Sequence, residues 1–272
     1  MSGLDELSSY FGFARTPFRR DLAPGMLHRH GGHAEAVARI RWCITENALA
    51  VITGEVGAGK TVALRAALAG LDPSRHTVIY LPNPAVGARG LHEAIVTGLG
   101  ETPRFHTAAL IAQASDLLAA EKHEKGRAVI VAVDEAHLLS PAQLEQIRLL
   151  TNAEMDSAAP FTGLLLGQPT LRRRIKSGQF AALDQRIGLR YTLPGMTAPE
   201  TRDYLAHHMQ LVGRTDTIFS DDAAELIHQT GRGLPRAVNN LALQALVATY
   251  LANKTIVDQT AARAAVAEVT AD

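Results

Sequence analysis

The residues Gly54-Glu55-Val56-Gly57-Ala58-Gly59-Lys60-Thr61 read as G-x-x-x-x-G-K-T. Glycines at this spacing let the chain turn tightly with its backbone N–H groups aimed inward, which is how a loop cradles phosphate oxygens. The pattern predicts that this loop binds ATP, with Lys60 reaching the β/γ-phosphates and Thr61 binding Mg²⁺. A second set of polar groups ends an apolar run, Val129-Ile130-Val131-Ala132-Val133-Asp134-Glu135. A buried strand ending in two carboxylates suits a site at the carboxyl edge of a parallel sheet. There Asp134 would hold Mg²⁺ through water, and Glu135 would polarise the water that attacks the γ-phosphate. A helix N-terminus that favours acids explains one carboxylate easily and the pair poorly.

Such groups need a scaffold, and the flanking residues supply one. Leu49-Ala50-Val51-Ile52 forms the strand before the loop, and Leu64, Ala67 and Leu68 the helix after it. Short β-rich runs are predicted at Ala48–Thr53, Thr77–Leu81, Ala128–Val133, Gly163–Gly167 and Leu189–Leu193. Helical spacing between them covers Ala34–Glu46, Val62–Ala69, Ala108–Lys122 and Ala142–Asn152. The alternation specifies an α/β fold, a parallel five-stranded sheet with flanking helices. After Pro194-Gly195 only helical patterns follow: Glu200–Leu211, Asp222–Gln229, Pro235–Leu251 and Ala261–Val269. Three segments result: an N-terminal arm, residues 1–33, draped over the first domain; an α/β nucleotide-binding domain, 34–195; and a small all-helical lid, 196–272.

The whole chain narrows the choices further. Its 272 residues suffice for a sizeable core without staples, and the lone Cys43 leaves no partner for an intramolecular disulfide. Basic and acidic residues number 27 each, so no global field draws the protein to nucleic acid or membrane, and any DNA-binding surface must be local. No apolar run approaches the roughly 20 residues that span a bilayer, and Met1 to Phe13 lacks a continuous apolar core, so a cytoplasmic, unprocessed protein is expected.

The loop, the acidic strand end, the five-strand alternation and the helical lid together resemble the AAA+ ATPases. Within them, Tyr10-Phe11-Gly12-Phe13 with Pro17-Phe18, Gly54-Glu55, Asp134-Glu135-Ala136-His137, Gly167-Gln168-Pro169 and Gly233-Leu234-Pro235-Arg236 are similar to one group. It contains the ExeA-type ATPases and the transposition regulators TnsC, TniB and MuB. The chain departs from that group at Ala58 and Thr170, neither of which is a phosphate or metal ligand. The resemblance implies that Gln168 is a polar sensor placing the attacking water, Arg186 a finger reaching a neighbouring subunit's γ-phosphate, and Arg236 a lid sensor of nucleotide state. Arg172, Arg173, Arg174 and Arg190 lie near Arg186 in sequence and keep the choice of finger open.

The resemblance also implies a homo-oligomer, ring or helical filament, that assembles with ATP on duplex DNA and delivers it to a partner transposase. DNA contact is expected after the second strand, with Arg89, Arg104 and His106 touching phosphates; an oligomer repeats a few such contacts, so neutral net charge is no bar. Two other functions stay open. ExeA-type ATPases serve assembly of a secretion machine and normally continue into a membrane segment and a wall-binding region, which a chain ending at Asp272 is expected to lack. A nucleotide-dependent switch that binds a protein partner needs no DNA, and intact Lys60, Asp134, Glu135 and Arg236 argue against weak hydrolysis. The string Asp134-Glu135-Ala136-His137 also occurs in helicases, whose two motor domains need more chain than follows residue 195. His28-Arg29-His30 with His33 has the look of a metal cluster but has no Cys or carboxylate beside it, and Arg172-Arg173-Arg174-Ile175-Lys176 reads as an exposed helix face or subunit contact.

Overall fold

The computed structural model describes residues 3–19, 21–152 and 159–270. The outermost residues of the expected arm and lid, 1, 2, 271 and 272, and arm residue 20 lie outside the described residues. The chain divides into two compact units, Glu35–Glu55 with Lys60–Leu193, and Met1–Ala34 with Val56–Gly59 and Pro194–Asp272.

Five parallel strands, β1 (Leu49–Thr53), β2 (His76–Leu81), β3 (Ala128–Val133), β4 (Thr162–Gly167) and β5 (Ile187–Thr192), form the sheet of the first unit in the order β2-β3-β4-β1-β5. Their composition explains their place. β1 and β4 are buried along their whole length, as strands covered on both faces must be, while the edge strands β2 and β5 carry half-buried and exposed residues. The register lines up the carboxyl ends: Thr53 pairs with Gly167, Val133 with Leu165 and Leu81 with Val133. Everything that follows β1, β3 and β4 therefore emerges on one edge, the usual place for a ligand in an open parallel sheet.

The crossovers are α3 (Lys60–Leu68), α4 (Gly87–Gly98), α5 (Thr107–His123), α6 (Pro141–Leu150), α7 (Pro169–Ile175) and α8 (Ala181–Arg186); α1 (Gly3–Phe11) and α2 (Gly31–Thr45) precede the sheet. One apolar core joins sheet and crossovers, with Leu91, Ile95, Leu110, Leu118, Val131, Leu144 and Leu165 in it. Helix α6 starts on a capping box, in which Ser140 Oγ accepts the Gln143 N–H and Gln143 Oε1 accepts the Ser140 N–H. Gln143 is buried and its Nε2 donates to the carbonyls of Pro84 and Gly87, at 2.7 and 3.1 Å, so one side chain also fixes the turn after β2.

In the second unit, α9 (Ala198–Leu211), α10 (Asp221–Gly231), α11 (Pro235–Leu251) and α12 (Gln259–Thr270) pack around Leu205, Met209, Ile227, Leu241 and Leu246. Leu7, Phe11, Phe13 and Phe18 belong to this same core. The arm was expected over the α/β domain; its aromatic residues instead complete the helical core, where Phe18 stacks on His208 at 4.9 Å and Arg15 Nε donates to the Leu211 carbonyl. The arm thus adds large apolar side chains to the core of a small helical unit. Among the described residues no helix is long and apolar enough to cross a membrane.

Candidate active site

The loop after β1 begins where the Gly54 N–H donates to the Gly167 carbonyl at 3.2 Å, which ties its root to the end of β4. Gly57 and Gly59 have φ of +81° and +97°, a region that side chains strain. At Gly57 a Cβ would also stand 2.7 Å from the Cβ of Arg236, whose N–H donates to the Gly57 carbonyl at 3.3 Å. Lys60 opens α3; its stem is buried and its Nζ donates to the carbonyls of Gly54 and Glu55, at 2.8 and 3.0 Å.

Thr61 Oγ1 donates to Asp134 Oδ2 at 2.6 Å, joining the loop to the end of β3. Asp134 is buried, and its Oδ1 accepts the N–H of Glu135 at 2.9 Å. Tyr80 Oη also donates to Oδ2, at 3.1 Å, and burial together with the Asp134 charge pushes this phenol up to about 12. A hydroxyl beside a carboxylate is a set of hard oxygen donors, the chemistry Mg²⁺ prefers, so Thr61 and Asp134 fit the ion. Tyr80 belongs to no motif; its side-chain alternation on an edge strand is ordinary, and only the tertiary contact marks it.

Glu135 is exposed and sits in the left-handed region at φ +48°, an uncommon conformation for a residue with a side chain. It heads the single turn Ala136–Leu138. His137 Nδ1 stands 3.3 Å from Glu135 Oε2, within ion-pair distance but off hydrogen-bond geometry. Gly167 is what permits this turn to lie against β4, since a Cβ there would come within 2.9 Å of the His137 nitrogen.

The remaining expected site residues divide. Gln168 occupies the position before α7 directly after β4, without a side-chain capping bond, half-buried at the same sheet edge as Asp134 and Glu135. Arg186, the last residue of α8, donates to the Thr151 carbonyl at 3.4 Å and to Asn152 Oδ1 at 3.2 Å. Of its neighbours, Arg172 donates to Thr192 Oγ1, Arg174 to the Leu139 carbonyl, and Arg190 pairs with Asp184, while Arg173 is exposed. Arg89 pairs with Glu93 at 2.7 Å and donates to the carbonyls of Phe105 and Arg104, at 2.6 and 2.9 Å. Its guanidinium thus braces the turn between α4 and α5. Gln113 clamps the same turn, accepting the Arg104 N–H and donating to the Thr102 carbonyl. The turn so held exposes Arg104, Phe105 and His106, with Phe105 at 85%. Of the histidines, His30 and His33 have ring centroids 5.9 Å apart, and among the described residues no three or more His, Cys, Asp or Glu are grouped to hold a metal ion.

Residues 44–175 match the family model described as an AAA domain. General secretion pathway protein A of Aeromonas hydrophila is 32% identical over 247 residues, 89% of this chain; the chain spans 45% of that relative's length. Among solved structures, the ORC2 protein of Aeropyrum pernix, described in ADPNP-ADP complexes, is similar at a TM-score of 0.64 with 20% identity, over 93% of this chain and 71% of that one. The ORC1 protein of the same organism in complex with DNA gives a TM-score of 0.63 at 15% identity, over 89% and 66%. At these identities the structures establish the fold, a parallel five-stranded sheet of the P-loop AAA+ type with flanking helices and a helical C-terminal part.

Proposed function

We propose that this chain, whose residues 44–175 match an AAA domain, binds and hydrolyses ATP and couples the ATP-bound state to oligomeric assembly on duplex DNA. The observation that carries the catalytic half is the convergence of Lys60, Thr61, Asp134 and Glu135 on one sheet edge, with Thr61 hydrogen-bonded to Asp134. In this reading the backbone N–H groups of Gly57 to Thr61 and the Lys60 ammonium bind the phosphates. Thr61 and Asp134 would hold Mg²⁺, which would supply positive charge to offset that of the phosphates. Glu135, free to swing because it is exposed, accepts a hydrogen bond from the attacking water and polarises it toward the γ-phosphorus. Gln168 at the end of β4 orients that water, Arg236 reports nucleotide state, and Arg186 meets the γ-phosphate of a neighbouring subunit, which requires its guanidinium to leave Thr151 and Asn152.

For the DNA half, support comes from the braced turn that exposes Arg104 and His106 and from the fold shared with a DNA-bound ORC1 protein. In this reading Arg104 and His106 contact phosphates directly, Arg89 supports them from beneath, and a transposase receives the bound duplex. The test is anisotropy of a labelled random duplex with ATP analogue, with ADP and without nucleotide, across salt concentrations. Binding should require the ATP analogue and weaken steeply with salt, and Arg104→Ala should weaken all sequences alike and flatten the salt dependence.

The similarity to General secretion pathway protein A favours a second reading, in which the same ATP cycle drives assembly of a secretion machine through protein contacts. Intact ATP hydrolysis with no DNA binding in any nucleotide state at low salt would overturn the first reading in favour of the second.

A further inference from the structure

The two oxygens of Asp134 are held unequally. Oδ1 takes one backbone N–H, from Glu135, while Oδ2 takes two hydroxyls, Thr61 at 2.6 Å and Tyr80 at 3.1 Å. Tyr80 lies on the edge strand β2 in register with Ala132 of β3, two residues before Asp134. The residue is 44% exposed, so the sheet draws little packing from it, yet its hydroxyl reaches the buried carboxylate of Asp134. Neighbouring side chains offer no substitute: Val78 lies on the same side of β2 and carries no donor, and Leu81 is buried in the core.

Such a carboxylate can rotate about its terminal bond, and each donor on a chosen oxygen restricts that rotation. Thr61 takes on a second duty when a cation arrives, because its oxygen must then turn a lone pair to the metal. Tyr80 has no such second duty. We propose that Tyr80 is a positioning residue of the metal site, its hydroxyl holding Asp134 in the rotamer that faces Thr61 and so preparing the oxygen pair that receives nucleotide-bound Mg²⁺. The inference rests on the ATP reading above and adds to it a determinant of metal affinity.

The experiment measures binding of a fluorescent ATP analogue during Mg²⁺ titration, with a chelator blank, and repeats it with Mn²⁺ detected by electron paramagnetic resonance. Tyr80→Phe should leave metal-free nucleotide affinity unchanged and raise the half-saturating concentration of either cation roughly three- to tenfold, the loss of one hydrogen bond. Tyr80→Leu should give the same shift, which separates the hydroxyl from the ring. If Tyr80 serves only to anchor β2, both variants will lower the melting temperature while metal dependence stays wild-type, and the proposal is overturned. A shift in Tyr80→Leu without one in Tyr80→Phe overturns the hydroxyl's role. Wild-type protein that binds the analogue with no metal dependence would remove the ATP reading itself, an outcome distinct from a normal wild type with an unshifted Tyr80→Phe.

Discussion

At Glu135 two properties that usually conflict occur together: a carboxylate at the end of a buried strand, and exposure to water. The left-handed backbone at φ +48° is what turns the side chain outward while Asp134, one residue earlier, stays buried. Glu135→Gln keeps the shape and the hydrogen-bonding capacity but cannot accept a proton's worth of charge from water. It should retain nucleotide affinity and lose about 10²-fold or more in turnover, the scale of general-base contributions. Steady-state phosphate release beside analogue binding checks this, and wild-type turnover in the variant would exclude Glu135 as the base. Lys60 is the contrasting position: in the proposed cycle its ammonium would meet phosphate oxygens before any chemistry, so Lys60→Ala should lose nucleotide binding itself.

Helix α6 illustrates how one element's cap organises another element's loop. Gln143 closes its own capping box and also satisfies the carbonyls of Pro84 and Gly87 beyond β2, all with one buried amide. Gln143→Ala would remove the amide donor from both carbonyls, that of buried Pro84 included, and open the cap together, so a loss of about 2 kcal/mol is expected. Denaturant unfolding checks it, and a midpoint within error of wild type would show that water replaces the amide. The same variant should loosen the segment leading into α4, the helix from which Arg89 braces the Arg104–His106 turn. Mobility of that turn, read by hydrogen exchange at residues 102–106, is the companion measurement.

The whole molecule carries a pH dependence in its helical unit. His208 is buried against Phe18 and Tyr204, which pushes it down to about 3, and burial beside His30 pushes His33 down to about 4. Both are neutral folded and unfolded above the ordinary histidine value of 6.5, so their contribution to stability is intact there. As pH falls below that value the unfolded chain takes up protons that the folded chain refuses, and stability drops by up to about 1.4 kcal/mol per pH unit for each histidine until the folded values are reached. Urea unfolding from pH 7.5 to 4.5 should show this fall, and His208→Gln should flatten it while costing stability at pH 7.5. An unchanged slope in the variant would assign the acid sensitivity elsewhere.

Local pattern was enough for much of this. The glycine spacing before Lys60-Thr61, the apolar run ending in Asp134-Glu135, and the alternation of five short strands with helices are features of consecutive residues, and periodicity reports them. Strand limits shifted by one or two residues, as with β5 at Ile187–Thr192 against the expected Leu189–Leu193, because pairing rather than composition decides where a ladder begins. Short helices went unread for a related reason: α7 and α8 span 7 and 6 residues, too few for a helical period to register. What tertiary structure alone decided are contacts between distant residues. Tyr80 meets Asp134 across 54 positions, Arg186 meets Asn152 across 34, and Arg15 of the arm meets Leu211 of the helical unit across 196. No spacing rule announces such a pair, because a side chain's partner depends on strand order and helix packing, which are properties of the folded whole.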